Sequence, residues 1–235
     1  MMGVRGLGKC FGSAQWAVKN LDLTVADGQL VMLLGANGAG KSTTINCLLD
    51  FLRPTEGRAL VDGIVVAEEP LRARRQLAYL GETLGVYPSL NGTQNVVFFA
   101  GLGTSIRLTK QTAKNLLLSM GIAEDACCRP VREYSKGMRQ KLGLAIALAR
   151  ESRNIVLDEP TSGLDPVSAR QLMDRLRWLC QGGAAVLMTT HDVFRAADAD
   201  RVCVMREGTL VATYERSQLG SMNMEREYLR VMQAA

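Results

Sequence analysis

The chain has 235 residues, 47% of them hydrophobic and 22% charged, which excludes a mainly disordered protein and allows a substantial core. A net charge of +5 is compatible with a nucleotide ligand, an anionic membrane surface, a nucleic acid or a solvated face, so charge alone selects no partner. The six cysteines show no C-x-x-C spacing, which disfavours a zinc site or a disulfide framework and indicates reduced thiols in a cytoplasmic protein. The first residues lack the apolar block of a signal peptide, and no apolar run reaches the roughly 18 residues of a membrane span.

The first third of the chain is dominated by short apolar or alternating runs, which predict strands. We expect these strands at 4–11, 20–26, 29–34, 59–61, 64–66 and 76–80. One helix is expected among them, from Lys41 to about Leu52, because Pro54 and Gly57 follow it as stop and turn signals.

The rest of the chain changes first to predicted helices and then back to alternating strands and helices. Helices are expected at about 93–101, 110–120, 136–150, 166–180 and 224–232, and strands at 155–157, 184–188 and 202–205. We therefore predict a single domain over residues 1–235. Its sheet-based core would cover about 1–82 and 153–235, with an inserted helical subdomain at about 83–152.

A phosphate-binding loop is predicted between the strand at 29–34 and the helix that begins at Lys41. Residues 35–43 fit the pattern G-x-x-x-x-G-K-[ST]. Glycines let the backbone curl so that its N–H groups point at phosphate oxygens, and the following helix presents its positive N-terminus to the same anion. Lys41 supplies a charge for the β- and γ-phosphates, and the Ser42 hydroxyl is placed to bind Mg²⁺. The candidate nucleotide-binding residues of this loop are Gly35, Asn37, Gly38, Ala39, Gly40, Lys41, Ser42 and Thr43.

Polar residues follow two of the later strands, where ligands of open α/β sheets bind. Asp158 and Glu159 follow the predicted strand at 155–157. Asp158 is a candidate for holding Mg²⁺, and Glu159 is a candidate for orienting and polarising the attacking water. His191, the one histidine of the chain, follows the strand at 184–188 and is a second catalytic candidate, able to contact a γ-phosphate and the water. A capping or core histidine is the alternative interpretation of His191.

Further motifs occur in a fixed order after the loop: Tyr-Ser-Lys-Gly-Met-Arg-Gln at 134–140, the strand and turn at 155–160, Ser-Gly-Leu-Asp at 162–165 and Thr-His-Asp at 190–192. Together they resemble the nucleotide-binding subunit of ABC transporters, over about residues 4–215. The resemblance implies an α/β fold in which a P-loop NTPase core with a mixed sheet carries an antiparallel β subdomain and an inserted α-helical subdomain. It also implies that ATP and Mg²⁺ are the cofactors.

The resemblance assigns roles to four residues outside the loop and the strand ends. Ser135 and the Gly137 N–H, in the segment similar to the family's signature, would cap the ATP held by the opposite subunit. Ser135 could also be an N-cap, and both interpretations can hold together. Asp165, followed by proline, fits an N-cap and also the family's loop across the dimer interface. Phe11 matches the aromatic residue that stacks on adenine, with a core position as the alternative.

The sequence departs from the family pattern in two places. In the signature, normally Leu-Ser-Gly-Gly-Gln, Tyr134 replaces the leucine and Lys136 replaces the first glycine. Glu82 stands where the family usually has a glutamine that contacts Mg²⁺ and water. A glutamate there could bind the metal more strongly, or it could raise a pKa through repulsion from Glu159. We therefore count Glu82, with Ser42 and Asp158, among the candidate metal ligands.

The resemblance implies an ATPase that acts as the motor subunit of a transporter. Two copies, expected to be identical, would enclose two Mg-ATP head to tail and drive a separate membrane permease from the cytoplasmic face of the cell membrane. The form of the signature and the lack of added C-terminal sequence favour export. A soluble ABC ATPase of DNA repair or translation is the alternative, but no second motor copy or heptad stretch is present, and we expect no nucleic-acid partner. A P-loop kinase or GTPase is disfavoured because no Asn-Lys-x-Asp occurs. The transported substrate does not follow from the sequence.

Overall fold

The computed structural model describes residues 1–12, 14–102, 107–220 and 222–233. Its strands are β1 (Met2–Phe11), β2 (Gln15–Val25), β3 (Leu30–Leu34), β4 (Glu56–Val61), β5 (Ile64–Val65), β6 (Leu77–Leu80), β7 (Asn154–Asp158), β8 (Ala185–Thr190), β9 (Arg201–Arg206) and β10 (Thr209–Glu215). Its α-helices are α1 (Lys41–Leu48), α2 (Pro70–Arg75), α3 (Gly92–Gly101), α4 (Lys110–Ser119), α5 (Lys136–Ala149), α6 (Pro166–Gln181), α7 (Arg216–Leu219) and α8 (Met224–Gln233).

The strands form two sheets. A four-stranded antiparallel sheet has the order β2-β1-β4-β5, and a six-stranded sheet has the order β10-β9-β3-β8-β7-β6. In the larger sheet only β10 runs antiparallel to its neighbour, while β9, β3, β8, β7 and β6 are parallel. The mixed sheet and the antiparallel sheet confirm the predicted fold class.

The larger sheet is covered on both faces, so its central strands are apolar throughout rather than alternating. All five residues of β3 are buried. Leu30, Met32 and Leu34 pack into a cluster with the helices α3 to α6. Val31 and Leu33 point the other way, into a cluster shared with α1 and the antiparallel sheet. The strand therefore joins two cores, and each of its fully buried Leu or Val side chains contributes roughly 1.5–3 kcal/mol.

Helices α3, α4 and α5 pack against one another between β6 and β7 in the sequence. They lie within the predicted insert at 83–152, and the division of the chain at those bounds stays a prediction. Leu117, Met120 and Leu142 are fully buried among them. Across the described ranges, no helix combines the length and the apolarity needed to cross a bilayer.

Most predicted elements are confirmed with end points shifted by a few residues, but α1 ends at Leu48 rather than near Leu52. The cause is Asp50, whose φ of 57° lies in the left-handed region. The N–H groups of Phe51 and Leu52 both bond back to Asn46 O, which satisfies a helix-end carbonyl and turns the chain away. The prediction was also incomplete, because it contained neither β10, α2 nor α7.

Candidate nucleotide-binding and catalytic site

The loop at 35–40 joins β3 to α1 and curls tightly against the β9–β10 turn. Gly40 has a φ of 105°, which side-chain-bearing residues rarely adopt. A Cβ built on Gly40 would lie 2.7 Å from Met205 Cε and would also overlap Ala17 O. Ala39 O accepts a hydrogen bond of 3.0 Å from Gly208 N, which fixes the loop to the turn. The glycine of the motif is therefore required by backbone conformation and by packing.

The N-terminus of α1 fits an anion. Its cap residue, Gly40, offers no side-chain hydrogen bond, and the first turn contains no acidic residue. By contrast, α3, α4, α5 and α6 begin at side-chain caps, namely Asn91, Thr109, Ser135 and Asp165. The first N–H groups of a helix have no partner inside it, so at α1 they remain for a ligand in front of the loop.

A cavity of about 450 Å³ lies in front of this helix end. It brings together most of the predicted site residues. Its lining consists of Phe11, Gln15, Ala17, Asn37, Gly38, Ala39, Gly40, Lys41, Ser42, Thr43, Glu82, Asp158 and Glu159. Residues 37–43 of the predicted loop and the three predicted carboxylates, Glu82, Asp158 and Glu159, therefore face one space. Gly35 is not part of the lining, and its carbonyl accepts a hydrogen bond of 2.7 Å from Lys41 Nζ.

Asp158 and Glu159 are held by a residue of the neighbouring strand. Thr189 is paired with Asp158 in the β7–β8 register. Its hydroxyl donates to Asp158 Oδ1 and accepts from Glu159 N at 3.1 Å. Glu159 has a φ of 49°, an unfavourable backbone conformation for a glutamate, which the Thr189 hydrogen bond helps to maintain. One buried hydroxyl thus positions both carboxyl-bearing residues.

Glu159 lies between two nitrogen-bearing side chains. Its Oε1 is 3.7 Å from Lys41 Nζ, and its Oε2 is 2.9 Å from His191 Nδ1. The Glu159 side chain is 18% exposed and the His191 side chain 59%. His191 is therefore not a core residue, and it reaches the site through Glu159 although it is not part of the cavity lining.

Phe11 and Glu82 line the edges of the same cavity. Phe11 is 41% exposed, which contradicts its alternative interpretation as a core residue. Lys9 Nζ lies 5.3 Å from the centroid of its ring, within cation–π range. Glu82 is the second residue after β6, and its Oε1 lies 3.8 Å from Lys136 Nζ.

The residues present fit Mg²⁺ bound together with phosphates rather than alone. Among the residues that the structure describes, no three His, Cys, Asp or Glu side chains form a metal-binding group. Mg²⁺ typically takes one or two protein carboxylates and shares the phosphate oxygens and waters with its substrate. Ser42 at the exposed first turn of α1 and Asp158 across the cavity supply such a small donor set.

Sequence reasoning missed Thr189 as a part of this site. The sequence signal for Thr189 was its position directly before Thr190 and His191 at a strand end, but its function depends on pairing with β7, which the sequence does not show.

Comparisons with known proteins identify the family. The sequence pattern of the ABC transporter family matches residues 18–162, more than half of the chain. The chain belongs to the ABC transporter family. Its fold and motifs are those of the ATPase domain of that family. It is 39% identical over 218 residues to the daunorubicin/doxorubicin resistance ATP-binding protein DrrA of Streptomyces peucetius, a match that covers 92% of this chain and 66% of the relative.

Solved ABC cassettes have the same fold. An ATP-binding subunit of an ABC transporter superposes with a TM-score of 0.83 at 28% identity, covering 99% of this chain and all of that one. An ATP-binding cassette solved as a dimer in a post-hydrolysis state with ADP and Pi superposes with a TM-score of 0.81 at 24% identity, covering 92% of this chain and 99% of that one.

The segment similar to the ABC signature lies at the start of α5, outside the cavity lining. Ser135 is exposed, and its hydroxyl accepts a hydrogen bond of 3.2 Å from Met138 N, so it is an N-cap as one interpretation expected. A Cβ on Gly137 would lie 3.2 Å from Ser168 Cβ, which places the first turns of α5 and α6 in contact. Asp165 caps α6 by accepting from Val167 N and Ser168 N at 3.0 Å each.

Tyr134, the first departure from the ABC signature, has a structural explanation. Its side chain is buried, and its hydroxyl donates to Ala126 O at 2.8 Å. Burial raises the pKa of this hydroxyl to about 12. Tyr134 therefore fills the apolar position of the usual leucine, and its hydroxyl adds a hydrogen bond to the helical segment.

Proposed function

We propose that the chain is the ATP-hydrolysing motor subunit of a transporter that exports its substrate through a separate membrane permease. The observation that carries this proposal is the meeting of Lys41, Asp158 and Glu159 in front of an α1 N-terminus that no side chain caps. Backbone amides and Lys41 would bind the β- and γ-phosphates of ATP there. The side-chain aromatic ring of Phe11, exposed at the cavity edge, would stack on the adenine.

In this proposal the site residues act together when a water molecule attacks the γ-phosphate. Ser42 and Asp158 would hold Mg²⁺, which neutralises charge developing on the phosphates. Glu159 would orient the attacking water and accept its proton. His191, 2.9 Å from Glu159 Oε2, would fix the carboxylate and contact the γ-phosphate. The backbone of Glu159, held by Thr189, keeps its carboxylate on the cavity side.

A second copy of the chain would complete each site. Ser135 and Asp165 are exposed and lie outside the cavity that the rest of the site lines. The helix N-terminus at Ser135 does not line the cavity of its own chain, so a head-to-tail pair would bring it to the phosphate held by the other subunit. A related cassette of the same fold is a dimer.

Export and location follow from relatives rather than from the site. The similar DrrA protein is a daunorubicin/doxorubicin resistance protein. We propose that this chain also serves an exporter, bound to the cytoplasmic face of the membrane through its permease. Substrate choice would belong to the permease, because no described cavity residue of the ATP site needs to contact anything but nucleotide.

Replacing Glu159 with glutamine tests the proposal. The variant should bind Mg-ATP with affinity near wild type, because the loop and Lys41 remain, but its turnover should fall about 100- to 10,000-fold, the usual contribution of a general base. Nucleotide binding and phosphate release would both be measured. Glu151→Gln is a matched control, since Glu151 has a similar left-handed φ of 55° but lies outside the cavity lining. Near-normal turnover by Glu159→Gln, or equal losses in both variants, would remove Glu159 from this role.

A further inference from the structure

Of the three residues that depart from the ABC pattern, two, Glu82 and Lys136, lie close together in space. Lys136 Nζ lies 3.8 Å from Glu82 Oε1, although the residues belong to different segments of the chain. Both side chains are partly exposed, Lys136 by 33% and Glu82 by 65%. Each of these two replaces an uncharged residue with a charged one, and the two new charges are opposite.

Lys136 occupies a position where a cation is normally disfavoured. It is the first residue of α5, at the positive end of the helix dipole. The first turn of α5 contains no acidic residue that could offset its charge. Its ammonium group lies close to the loop after β7, since a Cβ built on Gly163 would lie 3.6 Å from Lys136 Nζ. Glu82, a carboxylate near the same helix end, therefore interacts favourably with both Lys136 and the dipole.

Glu82 also lies between two cavities. It lines the cavity in front of the phosphate loop, with Lys41, Ser42 and Asp158. It also lines a groove of about 480 Å³ that contains Lys136, Arg132 and Arg139. Among the described residues that line these two spaces, Glu82 is the only one they share. Its flexible side chain can therefore reach a cation on either side.

We propose that Lys136 is a positioning residue that holds Glu82 on the groove side, and that Glu82 leaves Lys136 for the phosphate side when Mg-ATP binds. This inference rests on the proposed function, because it needs Mg²⁺ to bind beside the loop. An exposed ion pair of single charges is weak. At the same distance Mg²⁺ attracts a carboxylate about twice as strongly as the Lys136 ammonium does, and the exchange requires this attraction to exceed the repulsion between Glu82 and the phosphates. The ion pair would thus link occupancy of the nucleotide site to the first turn of α5, where the segment similar to the ABC signature begins.

A double-mutant cycle tests this exchange without measuring turnover. Thermal unfolding would be compared for wild type, Glu82→Gln, Lys136→Gln and the double variant. Removing Lys136 also removes a cation from a helix N-terminus, so only the non-additivity of the cycle reports the pair. Without ligand we expect a non-additivity of about 1–3 °C in the unfolding midpoint, the size of an exposed pair in a chain of this length.

Ligand conditions distinguish the exchange from a static ion pair. With Mg²⁺ and a non-hydrolysable ATP analogue, the coupling between positions 82 and 136 should disappear, whereas the same nucleotide with EDTA should leave it unchanged. The exposed pair Lys114–Glu124, at 2.7 Å, is a matched control whose coupling should not respond to the ligand. A coupling at 82 and 136 that is absent without ligand, or equal with and without Mg-nucleotide, overturns the proposal.

A second measurement follows the metal directly. Lys136→Gln should lower the Mg²⁺ concentration for half-maximal binding of the analogue about two- to fivefold, because Glu82 is no longer held away. The same substitution in a Glu82→Gln background should have no such effect. An equal effect in both backgrounds would refute the role of Glu82. If the wild-type protein binds no Mg-nucleotide at all, the proposed function is refuted. If it binds Mg-nucleotide normally and the coupling between positions 82 and 136 stays unchanged, only the proposed exchange of Glu82 is refuted.

Discussion

Replacing Thr189 with valine tests whether one hydroxyl positions Asp158 and Glu159, the carboxylates proposed to bind Mg²⁺ and to orient water. Thr189 is fully buried, and valine has nearly the same shape. The change removes a hydrogen bond to the ionised Asp158, worth about 1.5–3 kcal/mol, and leaves Glu159 N without its partner, which costs about 1–3 kcal/mol more. The added methyl offsets about 0.8 kcal/mol of this, so we expect a loss of about 2–5 kcal/mol in unfolding free energy. For a chain of this length that lowers the unfolding midpoint by roughly 4–20 °C.

Activity should fall further than stability alone requires. With Thr189→Val, the left-handed backbone at Glu159 loses its hydrogen bond, and a small displacement of the carboxylate reduces turnover by about 10- to 100-fold. Unfolding would be followed by calorimetry and turnover by phosphate release well below the unfolding midpoint. Thr189→Ser keeps the hydroxyl and should retain most of the activity. Wild-type turnover and midpoint in Thr189→Val would refute the reasoning.

Two further predictions concern the cavity edge and the cysteines. Phe11→Ala should weaken equilibrium ATP binding by roughly two- to tenfold, the usual contribution of one stacked aromatic ring. Phe98, at a matched exposure of 40%, provides the control, and Phe98→Ala should leave ATP binding unchanged. Equal affinities of the wild type and both variants would contradict the stacking. In native protein, thiol reagents should modify the exposed Cys128 and the half-exposed Cys10, and spare the four buried cysteines until denaturant is added. Raising the pH from 8 to about 9 should not change this pattern of labelling, because burial raises the pKa of Cys47 to about 11 and that of Cys180 to about 12, so both stay thiols. Rapid labelling of all six cysteines in the native protein would contradict the prediction.

Local sequence signals were sufficient for most elements of the fold and insufficient for those that depend on turns. The hairpin that joins β9 to β10 was missed, although Glu207 and Gly208 adopt φ values of 47° and 82°. Two successive residues with positive φ are typical of the tight turns that connect antiparallel strands. A glutamate is uncommon at such a position, which is why the signal was weak. Helix α2 was missed because it has only six residues, despite Pro70 at its first position.

The candidate site was predictable where chemistry is encoded by spacing and not where it depends on neighbouring strands. Residues 37–43 of the loop pattern all line one cavity, since the strand and helix on either side are local. The pair Glu82 and Lys136 was visible only as two separate departures from a family pattern. Their approach to 3.8 Å depends on how the segment after β6 passes the start of α5, which no local signal specifies.

Strand register is what turns scattered residues into one site. In β7, Val156 belongs to the core cluster that contains α1, so Asp158, two residues on, points to the same face of the sheet. In β8 the same alternation takes Leu187 to Thr189, and the β7–β8 register pairs Thr189 with Asp158. Helix α1 packs on that face, and Asp158 lines the cavity in front of its N-terminus. A slip of one residue would turn Asp158 toward the opposite core, away from the phosphate loop. The apolar residues of β7 and β8 therefore help to determine where the two candidate site carboxylates, Asp158 and Glu159, lie.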